Sequence, residues 1–85
     1  MSRNRATRTK DERFIITLYE MALESGDLEI AFPRYEVGVR AVLSEKGVDT
    51  ICKLLIQANF IRKREEEMVY LTPNGVRLAE QLLPM

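Results

Sequence analysis

The 85-residue chain has no histidine, no tryptophan and one cysteine, Cys52. Without histidine it lacks the commonest general base and every Ser–His or Cys–His nucleophile pair. A lone cysteine forms no intrachain disulfide, and with no histidine beside it a structural zinc site has too few ligands. The chain is therefore not expected to be an enzyme, and neither a metal nor a cofactor is expected. No apolar run approaches the roughly 20 residues of a membrane span, and the N-terminus lacks the apolar stretch of a signal peptide. No membrane contact is expected, and a cytoplasmic location is.

What is present is the composition of a folded domain, with 46% hydrophobic and 31% charged residues. A chain this short buries about 60–65% of its unfolded surface, so one domain with a modest core is expected. The formal net charge of zero hides a split: residues 1–10 hold Arg3, Arg5, Arg8 and Lys10 with no acid, and the rest holds the other nine basic residues against all thirteen acids. A basic arm on a mildly acidic body is an asymmetry that suits nucleic acid, and it equally suits a solubilising tail. Residues 1–10 are read as that flexible arm and 11–85 as the domain.

Phe14, Ile15, Leu18, Met21 and Ala22 form one apolar stripe at helical spacing, predicting a helix over about 11–25 that ends at Ser25-Gly26-Asp27. Leu28, Ile30 and Phe32 alternate with other residues and predict a short strand, which Pro33 stops while opening the next helix at its first position. Two divisions of the following stretch are open. In the preferred one a helix covers 33–40, Ala41-Val42-Leu43 turns, and Ser44 caps a helix to Ala58. In the other, the earlier helix runs on to Ser44, Gly47 turns, and Asp49 caps a helix over 49–58. The first sets Gly47 inside a helix, at about 1 kcal/mol against alanine.

Either way the third helix has the same two sides. Lys46, Asp49, Thr50, Lys53 and Gln57 share one arc, opposite Val48, Ile51, Cys52, Leu55 and Ala58. Residues 60–64 and 68–71 then read as a hairpin around Glu65-Glu66-Glu67. Thr72 caps a last helix with Pro73 at its first position and Val76, Ala79, Leu82 and Leu83 on its apolar side. Cys52 is read as core. Tyr35 and Tyr70 are read as packing aromatics with wet hydroxyls.

Val37-Gly38-Val39 with Leu43-Ser44, the run Leu55-Ile56-Gln57-Ala58-Asn59-Phe60-Ile61-Arg62, and Leu71-Thr72-Pro73-Asn74-Gly75-Val76-Arg77-Leu78-Ala79 together resemble the winged helix-turn-helix superfamily. The last stretch is similar to the C-terminal part of MarR-type and PadR-type regulators. At Asn59 the superfamily often has glycine, and asparagine also tolerates a left-handed cap. The resemblance covers about residues 11–83 and assigns no single family. It implies a mainly α fold with a small β-hairpin: a three-helix core, a wing and a C-terminal helix.

The resemblance also implies a transcription regulator whose third helix enters the major groove of double-stranded DNA while the wing touches phosphate or minor groove. By position the candidate DNA-binding residues are Lys46, Thr50, Lys53 and Gln57 on that helix, Arg62 and Arg64 on one side of the wing, and Arg3, Arg5, Arg8 and Lys10 in the arm. Asp49, Glu45 and the three wing-tip glutamates oppose the counterion-release contribution to DNA affinity. A winged-helix protein-interaction module without DNA binding is the alternative. Cross-strand ion pairing of Arg62-Lys63-Arg64 with Glu65-Glu66-Glu67 is the bland reading of the wing. Val37, Ile51, Leu55, Phe60, Leu71 and Leu78 are expected to be buried. Ile16, Leu23, Leu82, Leu83 and Met85 exceed what one thin core absorbs, predicting a homodimer through the first and last helices.

Overall fold

A computed structural model describes residues 8–83 of the chain. The elements run α1 (Lys10–Ser25), β1 (Phe32–Pro33), α2 (Arg34–Arg40), α3 (Glu45–Gln57), β2 (Ile61–Arg64), β3 (Met68–Leu71) and α4 (Pro73–Leu82). The three strands form one antiparallel sheet in the order β1-β3-β2. This mainly helical architecture with a small sheet is compatible with the expected class.

Helix α1 starts one residue earlier than expected because Thr9 caps it with a full capping box. Its side chain accepts from the Glu12 N–H, and the Glu12 carboxylate accepts from the Thr9 N–H. Residues 8–10 therefore belong to the domain rather than to an arm, and only 1–7 of the expected arm lie outside the described residues. Phe14, Ile15 and Leu18 are fully buried and share one core with Val37 of α2, Val48 and Cys52 of α3, and Ile61, Val69 and Leu71 of the sheet. Each such large side chain is worth about 1.5–3 kcal/mol against exposure.

The preferred division of the middle stretch matches the structure. Ser44 is the N-cap of α3, its hydroxyl accepting from the Gly47 N–H at 3.0 Å. Gly47 lies in the first helical turn at the capped position, where its cost is offset by that hydrogen bond.

Four expectations change. The strand predicted from Leu28 shrinks to Phe32–Pro33, because Asp27 captures the chain: its carboxylate accepts from the Glu29 N–H at 2.9 Å and its carbonyl from the Ile30 N–H at 3.2 Å. Pro33 accordingly pairs with Met68 and serves as the N-cap of α2, one place before its expected position. Ala58 is exposed, since the helix ends at Gln57. Phe60 and Leu78 are half-buried, whereas Val37, Ile51, Leu55 and Leu71 are buried. Phe60 occupies the loop between α3 and β2, and α4 sinks only its small residues Gly75 and Ala79 fully.

The expected dimer surface also loses a member. Ile16 is 5% exposed, because α1 is covered by α2 on one side and α4 on another. Tyr19 fastens the two terminal helices together, donating from its hydroxyl to Glu80 Oε2 at 3.3 Å. Leu82 and Leu83 are half-buried, Leu23 is exposed, and Met85 lies outside the described residues. No helix among the described residues is long and apolar enough to cross a membrane.

Candidate nucleic-acid interface

Helices α2 and α3 meet at a close approach. A Cβ on Gly38 would run into Val48 Cγ2, so only glycine fits there without displacing a buried side chain. The connecting turn is closed by the Leu43 N–H to the Gly38 carbonyl at 2.8 Å and the Val42 N–H to the Val39 carbonyl at 3.1 Å. Arg13 reaches across from α1 and donates to the Ala41 and Val42 carbonyls, both at 3.3 Å. Its guanidinium thus neutralises the negative end of α2.

This arrangement turns one side of α3 outward. Lys46, Asp49, Thr50, Lys53 and Gln57 are all exposed, as their spacing predicts. Leu54, which the pattern did not single out, is 55% exposed beside them. Thr50 donates its hydroxyl back to the Lys46 carbonyl at 3.4 Å, leaving its oxygen lone pairs as acceptors.

Asp49 is the exception among these solvated groups. Its Oδ1 accepts from the Tyr35 hydroxyl at 2.5 Å and faces Arg34 Nη2 at 3.6 Å. Arg34 in turn lies over the Tyr35 ring, 5.1 Å from its centroid. The hydrogen bond to Asp49, together with desolvation, pushes the Tyr35 phenol above its ordinary range, so its proton stays on the bond. Tyr35 thus packs its ring against the core, as expected, and its exposed hydroxyl also engages α3. Sequence reasoning missed this cluster, since nothing in the pattern links positions 14 residues apart. Cys52 is buried, and its thiol is pushed up to about 11 by desolvation, which suits a core residue and not a nucleophile.

The hairpin sets its basic residues on alternate sides, as expected. Arg62 and Arg64 share the sheet face opposite Ile61 and Lys63, across from Tyr70 and Met68 respectively. Arg64 lies over the Tyr70 ring at 4.7 Å, and Arg62 lines a groove of about 510 Å³ with Leu28, Val76 and Arg77. Among the described residues the ion pairs are Arg34–Asp49 and Arg40–Glu24, so Arg62, Lys63 and Arg64 are not paired with the three glutamates as the bland reading had it. Nor do acids cluster there as a metal site among the described residues.

Of the expected arm, Arg3 and Arg5 lie outside the described residues. Arg8 donates to the Leu82 carbonyl at the end of α4, at 3.1 Å, and Lys10 is the exposed first residue of α1. Arg8, Arg13 and Arg40 also line a hollow of about 370 Å³ beside Glu20 and Val42. Comparison of the chain with family models, with curated proteins and with solved structures finds no match.

Proposed function

We propose that the chain is a winged-helix regulator module that reads double-stranded DNA with the exposed side of α3. The element order, the β1-β3-β2 sheet and the close approach at Gly38 support that fold. The observation that carries the functional reading is the neutralisation of Asp49. The acid that most opposes DNA on this surface is already held by Arg34 and Tyr35. Lys46 and Lys53 are then left as positive charges of the strip, unpaired among the described residues, against Glu45 at its edge. Thr50 lies between them and Gln57 one turn beyond Lys53 as hydrogen-bonding groups. Lysines suit phosphate, and glutamine suits an adenine edge. Arg62, Arg64, Lys10 and residues 1–7 would add backbone contacts around that strip.

A DNA titration across roughly 50–200 mM salt tests the reading, because phosphate binding weakens steeply over that range. Lys53→Ala and Gln57→Ala are expected to weaken binding with an unchanged thermal midpoint, because both side chains face solvent. Removing residues 1–7, which spares the Thr9 cap, is expected to flatten the logarithmic salt slope by about 0.9 for each phosphate no longer neutralised. Affinity indifferent to salt would sink the reading.

A second reading rests on a different observation. Val39, Val42 and Leu54 are 73%, 82% and 55% exposed. Large apolar groups left in water, Val39 and Val42 at the α2–α3 turn and Leu54 on α3, suit a protein-interaction module without DNA. Direct measurement of DNA affinity at low salt with the purified chain separates the two: no binding there favours the protein partner.

A further inference from the structure

Asp49 sits in the middle of a strip otherwise suited to DNA, and its carboxylate is not left to rotate. The Tyr35 hydroxyl and Arg34 Nη2 both address the same oxygen, Oδ1. Arg34 gives up something to be there: its Nε is buried and has no hydrogen-bond partner among the described residues. An unpaired buried donor is an unfavourable arrangement that a surface arginine easily avoids. The guanidinium is nevertheless held over Tyr35 and against Asp49, with its backbone N–H fixed to the Glu67 carbonyl at 2.9 Å. Half of the Asp49 side chain remains exposed, at 52%, and no hydrogen bond among the described residues goes to Oδ2, which is left to accept one.

We propose that Asp49 is a specificity-determining residue that reads a cytosine, Oδ2 accepting a hydrogen bond from the cytosine N4 amine in the major groove. This rests on the DNA reading above. A carboxylate is an acceptor alone, and cytosine is the base whose major-groove edge offers a donor alone. Thymine and guanine present acceptors that repel the carboxylate, and adenine sets its N7 acceptor beside its amine. Arg34 supplies the positive charge that lets the acid approach phosphates, and Tyr35 fixes its orientation. Both are positioning residues.

The test is selection of binding sites from a randomised duplex pool, run with the full chain and with Asp49→Asn, Tyr35→Phe and Lys53→Ala, each checked for an unchanged circular-dichroism melt. The full chain is expected to select cytosine at one position of its site. Asp49→Asn is expected to lose that preference, or to exchange it for adenine, which an amide matches in bidentate fashion. Affinity for the cytosine-containing site is expected to fall about 5- to 10-fold, the low end for one base pair, with other positions unchanged. Tyr35→Phe is expected to blur selection at that same position alone, while Lys53→Ala weakens all sequences together. If Asp49→Asn selects the same sequences as the full chain, or binds every sequence more tightly by the same factor, Asp49 is a mere charge and the inference is overturned while DNA binding stands. If the full chain selects no DNA, the DNA reading falls and the inference with it.

Discussion

The two turns that bracket α3 share one backbone design and differ in how it is enforced. At the entry, Val42 takes a left-handed conformation with φ 61°; at the exit, Asn59 does the same with φ 66°. In both, paired hydrogen bonds close the preceding helix in the Schellman pattern, the exit using the Phe60 N–H to the Leu55 carbonyl and the Asn59 N–H to the Ile56 carbonyl. Asparagine tolerates that conformation and β-branched valine does not, at a cost of about 1–2 kcal/mol. The exit is thus encoded locally. The entry is imposed from outside, by Arg13 on its carbonyls and by the tight seat of Gly38 on Val48. Two identical backbone shapes need not have the same origin.

Substitutions separate the two origins. The largest effect is expected at Gly75, beside the exit. A Cβ there would meet the Phe60 carbonyl, which is backbone and also accepts from the Thr72 N–H, so nothing can give way cheaply. Gly75→Ala is expected to cost about 3 kcal/mol or more in urea unfolding, the upper part of the overpacking range. Gly38→Ala at the entry meets a side chain instead, and a smaller loss of about 1–3 kcal/mol is expected. Equal losses at the two glycines would erase this part of the contrast.

Arg13→Met keeps the side-chain stem and removes two long hydrogen bonds, for a loss of about 1 kcal/mol. Amide hydrogen exchange should accelerate at Val42 and Leu43 and not at Asn59 and Phe60. The smallest effects concern the left-handed residues themselves. Val42→Gly removes an exposed side chain from a strained position and is expected to stabilise by about 0.5–1 kcal/mol, after the extra freedom of glycine in the unfolded chain is counted. Asn59→Gly is expected to stay within about 0.5 kcal/mol, since both residues accept the left-handed cap. A destabilising Val42→Gly would show that the entry turn depends on the valine side chain.

The same distinction explains what could be read from the sequence. Helix ends with local chemical signatures were legible: Gly26, Ser44, Asn59 and Thr72-Pro73 each mark a boundary that the structure keeps. The outward side of α3 was legible because periodicity alone sets it. The strand predicted from Leu28 failed where two local signals competed, and the Asp27 side chain overrode apolar alternation. The Arg34–Tyr35–Asp49 cluster and the Arg13 clamp were invisible, since each joins residues far apart along the chain through side chains with no compositional mark. Ile16 was misjudged for a related reason: α1 is enclosed on more sides than a single stripe implies.

Arg34 links parts of the molecule that the chain itself keeps apart. Its amide holds the end of the hairpin loop through Glu67, and its guanidinium holds the surface of α3 through Asp49. A push on the hairpin tip therefore has a short mechanical route to the α3 surface, through one residue at the hinge of a lever. Displacing the three glutamates would thus load the same residue that contacts Asp49 on α3.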